Sequence, residues 1–151
     1  MTTIILTIIG ILLAAAAALM VIFYGGDAFN SGSIGAQANT YQNAGTNVIS
    51  AIQLAKADAS TWTTVNSLHN ATDQDKDYLK ELPTLPGGAA GALAVAGGSQ
   101  YTVLLNDTDG QATKVCARIN KNLKLATAPT AVVTDVKMGC ATGSKTFFAN
   151  A

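Results

Sequence analysis

Cys116, Cys140, His69, Glu81 and Arg118 carry the sharpest chemistry in this chain, and the last three are the sole residues of their types. That scarcity decides much. A hydrolytic triad, a multi-histidine metal site or a pair of catalytic glutamates would each need residues the chain mostly lacks. The two cysteines stand 24 positions apart, the wrong spacing for a CxxC redox or zinc motif, and one His cannot complete a Cys/His site. An even cysteine count in a chain with an exported domain favours a disulfide instead. Closing that loop is worth roughly 3.5 kcal/mol in the chain-entropy model. Asp73-Gln74-Asp75-Lys76-Asp77 echoes the start of an EF-hand loop, but Tyr78 stands where such a loop needs Gly and Thr84 where it needs Glu. Asp107-Thr108-Asp109-Gly110 is a similar fragment. Both read as solvated helix-start and turn residues. Asn70-Ala71-Thr72 and Asn106-Asp107-Thr108 match the N-glycosylation acceptor pattern, which short polar turns produce by chance. His69 reads most simply as a surface side chain and Trp62 as a packing residue.

The elements that must position these residues begin with an apolar run. The chain has 151 residues, enough for one domain with a modest core. Only 12% of them are charged, about half the usual share, and nine basic residues balance nine acidic ones, so no long-range field attracts nucleic acid or anionic lipid. No charge precedes Asp27. Ile4 to Tyr24 is almost entirely apolar and, as a helix, would be roughly 30 Å long, the thickness of a bilayer's hydrocarbon core. A secretory signal peptide would carry a basic n-region and a shorter apolar stretch. A membrane anchor would usually show flanking positive charge. The bare start suggests that Met1 is a mature N-terminus left after a basic leader was removed; a trimmed chain or an odd single-span anchor is the alternative.

Gly10 and Ala14 through Ala18 give the run a slim waist, where helices can approach closely in an apolar medium. Gly25 and Gly26 are expected to interrupt the helix, because each Gly costs about 1 kcal/mol relative to Ala. Gly32 and Gly35 loosen the next stretch in the same way. Ile34, Ala38, Tyr41, Gly45, Val48, Ile52, Ala55 and Ala59 then alternate at spacings of four and three, one stripe of an amphipathic helix.

Beyond Ser60 the pattern is that of a compact globular domain. Ser60 is expected to cap a short helix bearing Trp62, Val65 and Leu68, and Thr72 with Asp75 to open a turn of helix through Tyr78, Leu79 and Leu82. Pro83 and Pro86 end it, and a small-residue loop runs to Gly98. Gln100 to Leu105 reads as a strand, stopped by the polar turn through Gly110. Ala112, Val115, Cys116, Ile119 and Leu123 share one helical face. Thr130 to Val136 and Lys145 to Ala149 are candidate strands.

This order of elements resembles a type IV pilin of the b subclass, the group containing the toxin-coregulated, bundle-forming and conjugative thin-pilus pilins. YTVLLNDTDGQATKVCARIN (Tyr101–Asn120) resembles that family's strand–turn–cysteine-helix unit, and VKMGCATGSKTFFANA (Val136–Ala151) its closing cysteine and final strand. The resemblance implies an α+β fold: a long N-terminal helix, apolar in its first half, and a C-terminal globular domain of short helices on a mainly antiparallel sheet. It implies three regions: a membrane and filament-core helix over 1–26, its amphipathic continuation over 27–59, and a head domain over 60–151. Met1 matches the N-methylated first residue of some members. The family usually carries Glu at mature position five, thought to pair with a neighbour's N-terminal amine; Ile5 stands there in this chain. Thr2 and Thr3 hydroxyls or free helix-end carbonyls are the acceptors open to that amine.

The expected function is that of a major pilin, a structural subunit polymerised into an extracellular filament and held in the inner membrane beforehand. Ile5, Ile8, Gly10, Leu12, Ala16, Leu19 and Phe23 are assigned to packing in the filament core, and Gly25 and Gly26 to a helix break. The implied partners are identical subunits in a helical homo-oligomer, the pilus assembly machinery and a prepilin peptidase. No catalytic residue, cofactor, metal or specific nucleic acid is expected. A minor pilin, a type II secretion pseudopilin, and more remotely a single-span membrane-anchored enzyme or binding module are the alternatives. Lys114, Arg118, Lys121 and Lys124 form a basic run on the Cys-bearing helix. It reads as a solvated face, with contact to an acidic surface on the next subunit or weak DNA binding as the other readings.

Overall fold

Helical hydrogen bonding runs from Thr2 to Ala57 in one element, α1. The computed structural model describes residues 2–58, 62, 64–69, 77–86, 94–96, 99–105 and 110–151. Contacts group these into two compact units, Met1–Ser33 and Ile34–Ala151.

The described part of the first unit, residues 2–33, is helix throughout, and the expected break at Gly25 and Gly26 is absent from it. Glycine weakens a helix through backbone entropy but keeps its N–H and C=O, so the ladder can continue where the neighbouring residues propagate it. The hydroxyl of Thr7, a polar group inside the apolar run, donates to the Thr3 carbonyl at 2.8 Å. That bond satisfies the hydroxyl within its own helix and removes most of the cost of placing it in an apolar medium.

The second unit is an α+β fold. After α1 come α2 (Val65–Leu68), β1 (Ala94–Ala96), β2 (Gln100–Leu104), α3 (Gln111–Asn122), β3 (Met138–Ala141) and β4 (Thr146–Asn150). The sheet order is β1-β2-β4-β3, antiparallel at every pairing. The register sets Val103 and Cys140 opposite Phe147, and Tyr101 and Met138 opposite Ala149, so these six share one face. Against that face packs the stripe read from the sequence: Ala38, Tyr41, Val48, Ile52 and Ala55 are buried in one cluster with Tyr101, Val103, Phe147 and the α3 residues Ala112, Val115, Cys116 and Ile119. Gly45 lies on the same stripe because α1 meets the sheet closely there. A Cβ at Gly45 would stand 2.7 Å from Cζ of Phe147.

Local signals differ from expectation at several points. The cap of α2 is Thr64, which exchanges hydrogen bonds with Ser67 in a capping box; Ser60 lies outside the described residues. Thr72 and Asp75 also lie outside them, and the described part of that segment, Asp77 to Leu82, is not helical. The third strand is Met138–Ala141 rather than Thr130 to Val136. The carbonyls of Val133 and Val136 accept from the Asn150 carboxamide at 2.8 and 2.6 Å, and those of Pro129 and Thr130 accept from the Thr142 and Gly143 amides. The stretch is therefore strapped to the hairpin by irregular bonds instead of joining its ladder. Leu125, just after α3, reaches the other face of the sheet, within 3.3 Å of where a Cβ on Gly139 would stand, beside the buried ring of Phe148.

Candidate functional site

Every side chain from Thr3 to Tyr24 is exposed in the isolated chain. By length and composition this stretch of α1 can cross a membrane. Of the residues assigned to filament-core packing, Ile5, Ile8, Leu12, Leu19 and Phe23 are each more than half exposed, Phe23 at 72%. On the continuous helix, Ile5, Ile8, Leu12, Ala16, Leu19 and Phe23 follow spacings of three and four and make one stripe. Gly10 falls off that stripe, with nothing within 4 Å of where its Cβ would stand. Burying a large aliphatic or aromatic side chain is worth about 1.5–3 kcal/mol, so an apolar surface of this extent calls for lipid or protein around it. Met1 lies outside the described residues.

The second feature ties α3 to β3. Cys116 and Cys140 are joined by a disulfide, with their Cα atoms 5.2 Å apart. One helical turn beyond Cys116, Asn120 is buried, and its carboxamide makes both available hydrogen bonds to the backbone of Cys140. Nδ2 donates to the Cys140 carbonyl at 2.9 Å, and Oδ1 accepts from the Cys140 amide at 2.8 Å. A covalent bond and a two-point hydrogen bond thus hold the same residue of β3. The sequence pattern missed Asn120. The only available signal was a polar residue at i+4 from Cys116, adjoining the apolar face of a helix.

His69 departs from the expected surface role. It is half-buried, and its Nδ1 lies 2.7 Å from the Leu79 carbonyl, which makes that nitrogen the donor. The Leu79 amide in turn donates to the Leu68 carbonyl at 3.0 Å. The imidazole is thereby used in joining two backbone segments. Trp62 packs against the core as expected. Tyr41 donates to the Pro86 carbonyl at 3.0 Å, while the Tyr101 hydroxyl is buried with no hydrogen-bond partner among the described residues. Burial raises the phenol pKa of both, and for Tyr101 the nearby Tyr41 raises it further. Lys114, Arg118, Lys121 and Lys124 are all exposed. The EF-hand-like segment from Asp73, apart from Asp77, and the Asp107–Asp109 turn lie outside the described residues, as do Asn70 and Asn106. Among the described residues no group of three or more His, Cys, Asp and Glu side chains is placed to hold a metal ion.

A long apolar N-terminal helix, a small antiparallel sheet and a disulfide between a helix and an adjoining strand make a pilin-like architecture. Comparison with protein families, with curated proteins and with solved structures gives no match for this chain.

Proposed function

We propose that this chain is a structural subunit, a major pilin of the type IV b kind, that polymerises through its N-terminal apolar helix into an extracellular filament. The observation that carries the reading is the uncovered apolar surface from Thr3 to Tyr24. Lipid solvates such a surface as well as neighbouring helices do, so the subunit waits in the inner membrane. On extraction the alternative is water, and the same surface is buried against other copies. Several side chains at about 1.5–3 kcal/mol each hold a polymer without covalent links. In this reading a prepilin peptidase frees Met1, which is then N-methylated, and the pilus assembly machinery draws the subunit out. Gly25 and Gly26 are where helical bonding loosens on entry into the fibre.

Shearing of cells without detergent, followed by electron microscopy and mass spectrometry of the released material, tests this. Fibres built from this chain are expected. Ala16→Leu widens the packing stripe while leaving the second unit untouched, and fibre counts should collapse at matched membrane levels of subunit. Normal fibre counts from that variant would mean that packing along this stripe does not govern assembly.

A further inference from the structure

Every charged side chain of α3 is basic. Lys114, Arg118 and Lys121 stand at i, i+4 and i+7 on α3, with Lys124 one turn on. All four are exposed and unpaired among the described residues. Their helix rides one side of the buried stripe of α1. Arg118 Nη2 lies 4.0 Å from where a Cβ on Gly35 would stand, Gln42 Nε2 donates to the Ile119 carbonyl at 3.4 Å, and Asn122 Nδ2 donates to Asn39 Oδ1 at 3.4 Å. On the other side of the stripe, further along α1, a cleft of about 430 Å³ is walled by Asn47, Ser50 and Leu54 of α1 and by Tyr78, Lys80 and Glu81. Leu54 is 58% exposed there. Asp58 follows it by one turn of α1 and Asp77 directly precedes Tyr78; these two carboxylates are exposed, as are Glu81 and the single cation of the cleft, Lys80.

We propose that the basic face of α3 docks on this Glu81 cleft in a second copy of the chain. The inference rests on the filament reading and names its lateral contact. Within one copy the two surfaces cannot meet. Gly35 and Ala51 mark their levels on α1, sixteen residues or about 24 Å of helix rise apart, and the buried stripe runs between their flanks. A neighbour displaced along the α1 axis by about that distance brings them together. The strip carries four positive charges and the cleft side three carboxylates against one ammonium, so the two surfaces are opposite in sign. A contact between two different surfaces of the same chain does not close into a two-fold dimer; it repeats along a polymer. A polyanion such as DNA would satisfy α3 alone and leave Leu54 and the carboxylates uncovered. A second copy covers both surfaces.

The test is a charge swap scored as sheared fibres per cell. Arg118→Glu and Glu81→Arg should each cut the fibre count about tenfold or more, because the altered pair recurs at every subunit addition. Both changes together should restore it to within about threefold of the unaltered chain. Each variant is first checked for the Cys116–Cys140 disulfide by thiol labelling of membrane-held subunit. One that lacks it is replaced by Arg118→Gln or Glu81→Gln, for which the same loss is expected. Unchanged fibre counts in either single variant overturn the proposal, and so does a double variant no better than the singles. Unchanged fibres from Arg118→Glu that lose retention on duplex DNA would assign the face to a polyanion, again overturning it. Absence of fibres from the unaltered chain is a separate result, which removes the filament reading itself.

Discussion

Asn120→Asp alters the α3–β3 clamp by a single atom type, and its cost can be bounded from the geometry. The acceptor at 2.8 Å from the Cys140 amide is kept. The donor at 2.9 Å from the Cys140 carbonyl is replaced by a second oxygen, which as a carboxylate would face that carbonyl without a proton between them. Asn120 is only 4% exposed, so water cannot relieve the clash. The folded protein escapes by protonating the introduced carboxyl, whose O–H then donates where Nδ2 did. Holding that proton at pH 7, about three units above the ordinary aspartyl pKa, costs at most about 4 kcal/mol, at about 1.4 kcal/mol per unit. The folded-state pKa of the introduced group is raised. The variant therefore matches the unaltered protein below about pH 4, its unfolded-state value, and loses stability as pH rises from there toward the folded-state value. Denaturant melts of both proteins in detergent micelles, at steps between about pH 4 and pH 7, should show their stabilities diverging as pH rises. A difference that is constant across that range, or absent at its upper end, would refute the two-point bond as a component of the clamp.

Cys116→Ser should cost about 2–5 kcal/mol in the same melts, and thiol labelling should then find Cys140 free where the unaltered protein labels at neither position. Gly45→Ala gains about 1 kcal/mol of helix propensity but drives a methyl into the Phe147 ring, which packs against Tyr41 and Tyr101 at centroid distances of 6.0 and 6.3 Å. With overpacking at about 1–3 kcal/mol the balance should be a lowered melting temperature by circular dichroism, whereas Gly32→Ala, with open space at its Cβ, should raise it. Tyr101→Phe removes a buried hydroxyl that lacks a partner, so stability at neutral pH should hold or rise. Because the folded pKa of Tyr101 is raised, its stabilising contribution is full below about pH 10 and lost above it; alkaline melts should show the variant less sensitive there.

The parts of the fold legible in the sequence were those where one physical requirement dominates. The four-three stripe from Ile34 to Ala55 and the face of Ala112, Val115, Cys116 and Ile119 are burial patterns, and burial follows them. Gln100 to Leu104 alternates as a strand with Tyr101 and Val103 turned inward. Other parts depend on partners distant in the chain. Met138–Ala141 contains Gly and Ala and little strand propensity, yet its register is fixed by Phe147, the disulfide and Asn120. The valines of the 130–136 stretch carry the propensity, but the Asn150 side chain takes the carbonyls of Val133 and Val136. Ala94–Ala96 has no pattern of its own and becomes a strand by pairing with Gln100–Thr102. The apolar run was plain from composition alone, and its described side chains are exposed.

Strand β3 lies at an outer position of the sheet, and Asn120 occupies both backbone groups that Cys140 turns away from β4. A bare outer strand is a template on which another chain can add by backbone pairing, the route to amyloid-like clumping. Copies crowded as the proposed filament requires would meet that hazard constantly. With the carboxamide seated on Cys140 and held by the disulfide one turn away, strand-on-strand growth is blocked at this margin. In the proposed filament, association at this margin would be left to side-chain surfaces, which can be released and re-formed, rather than to a backbone ladder, which locks.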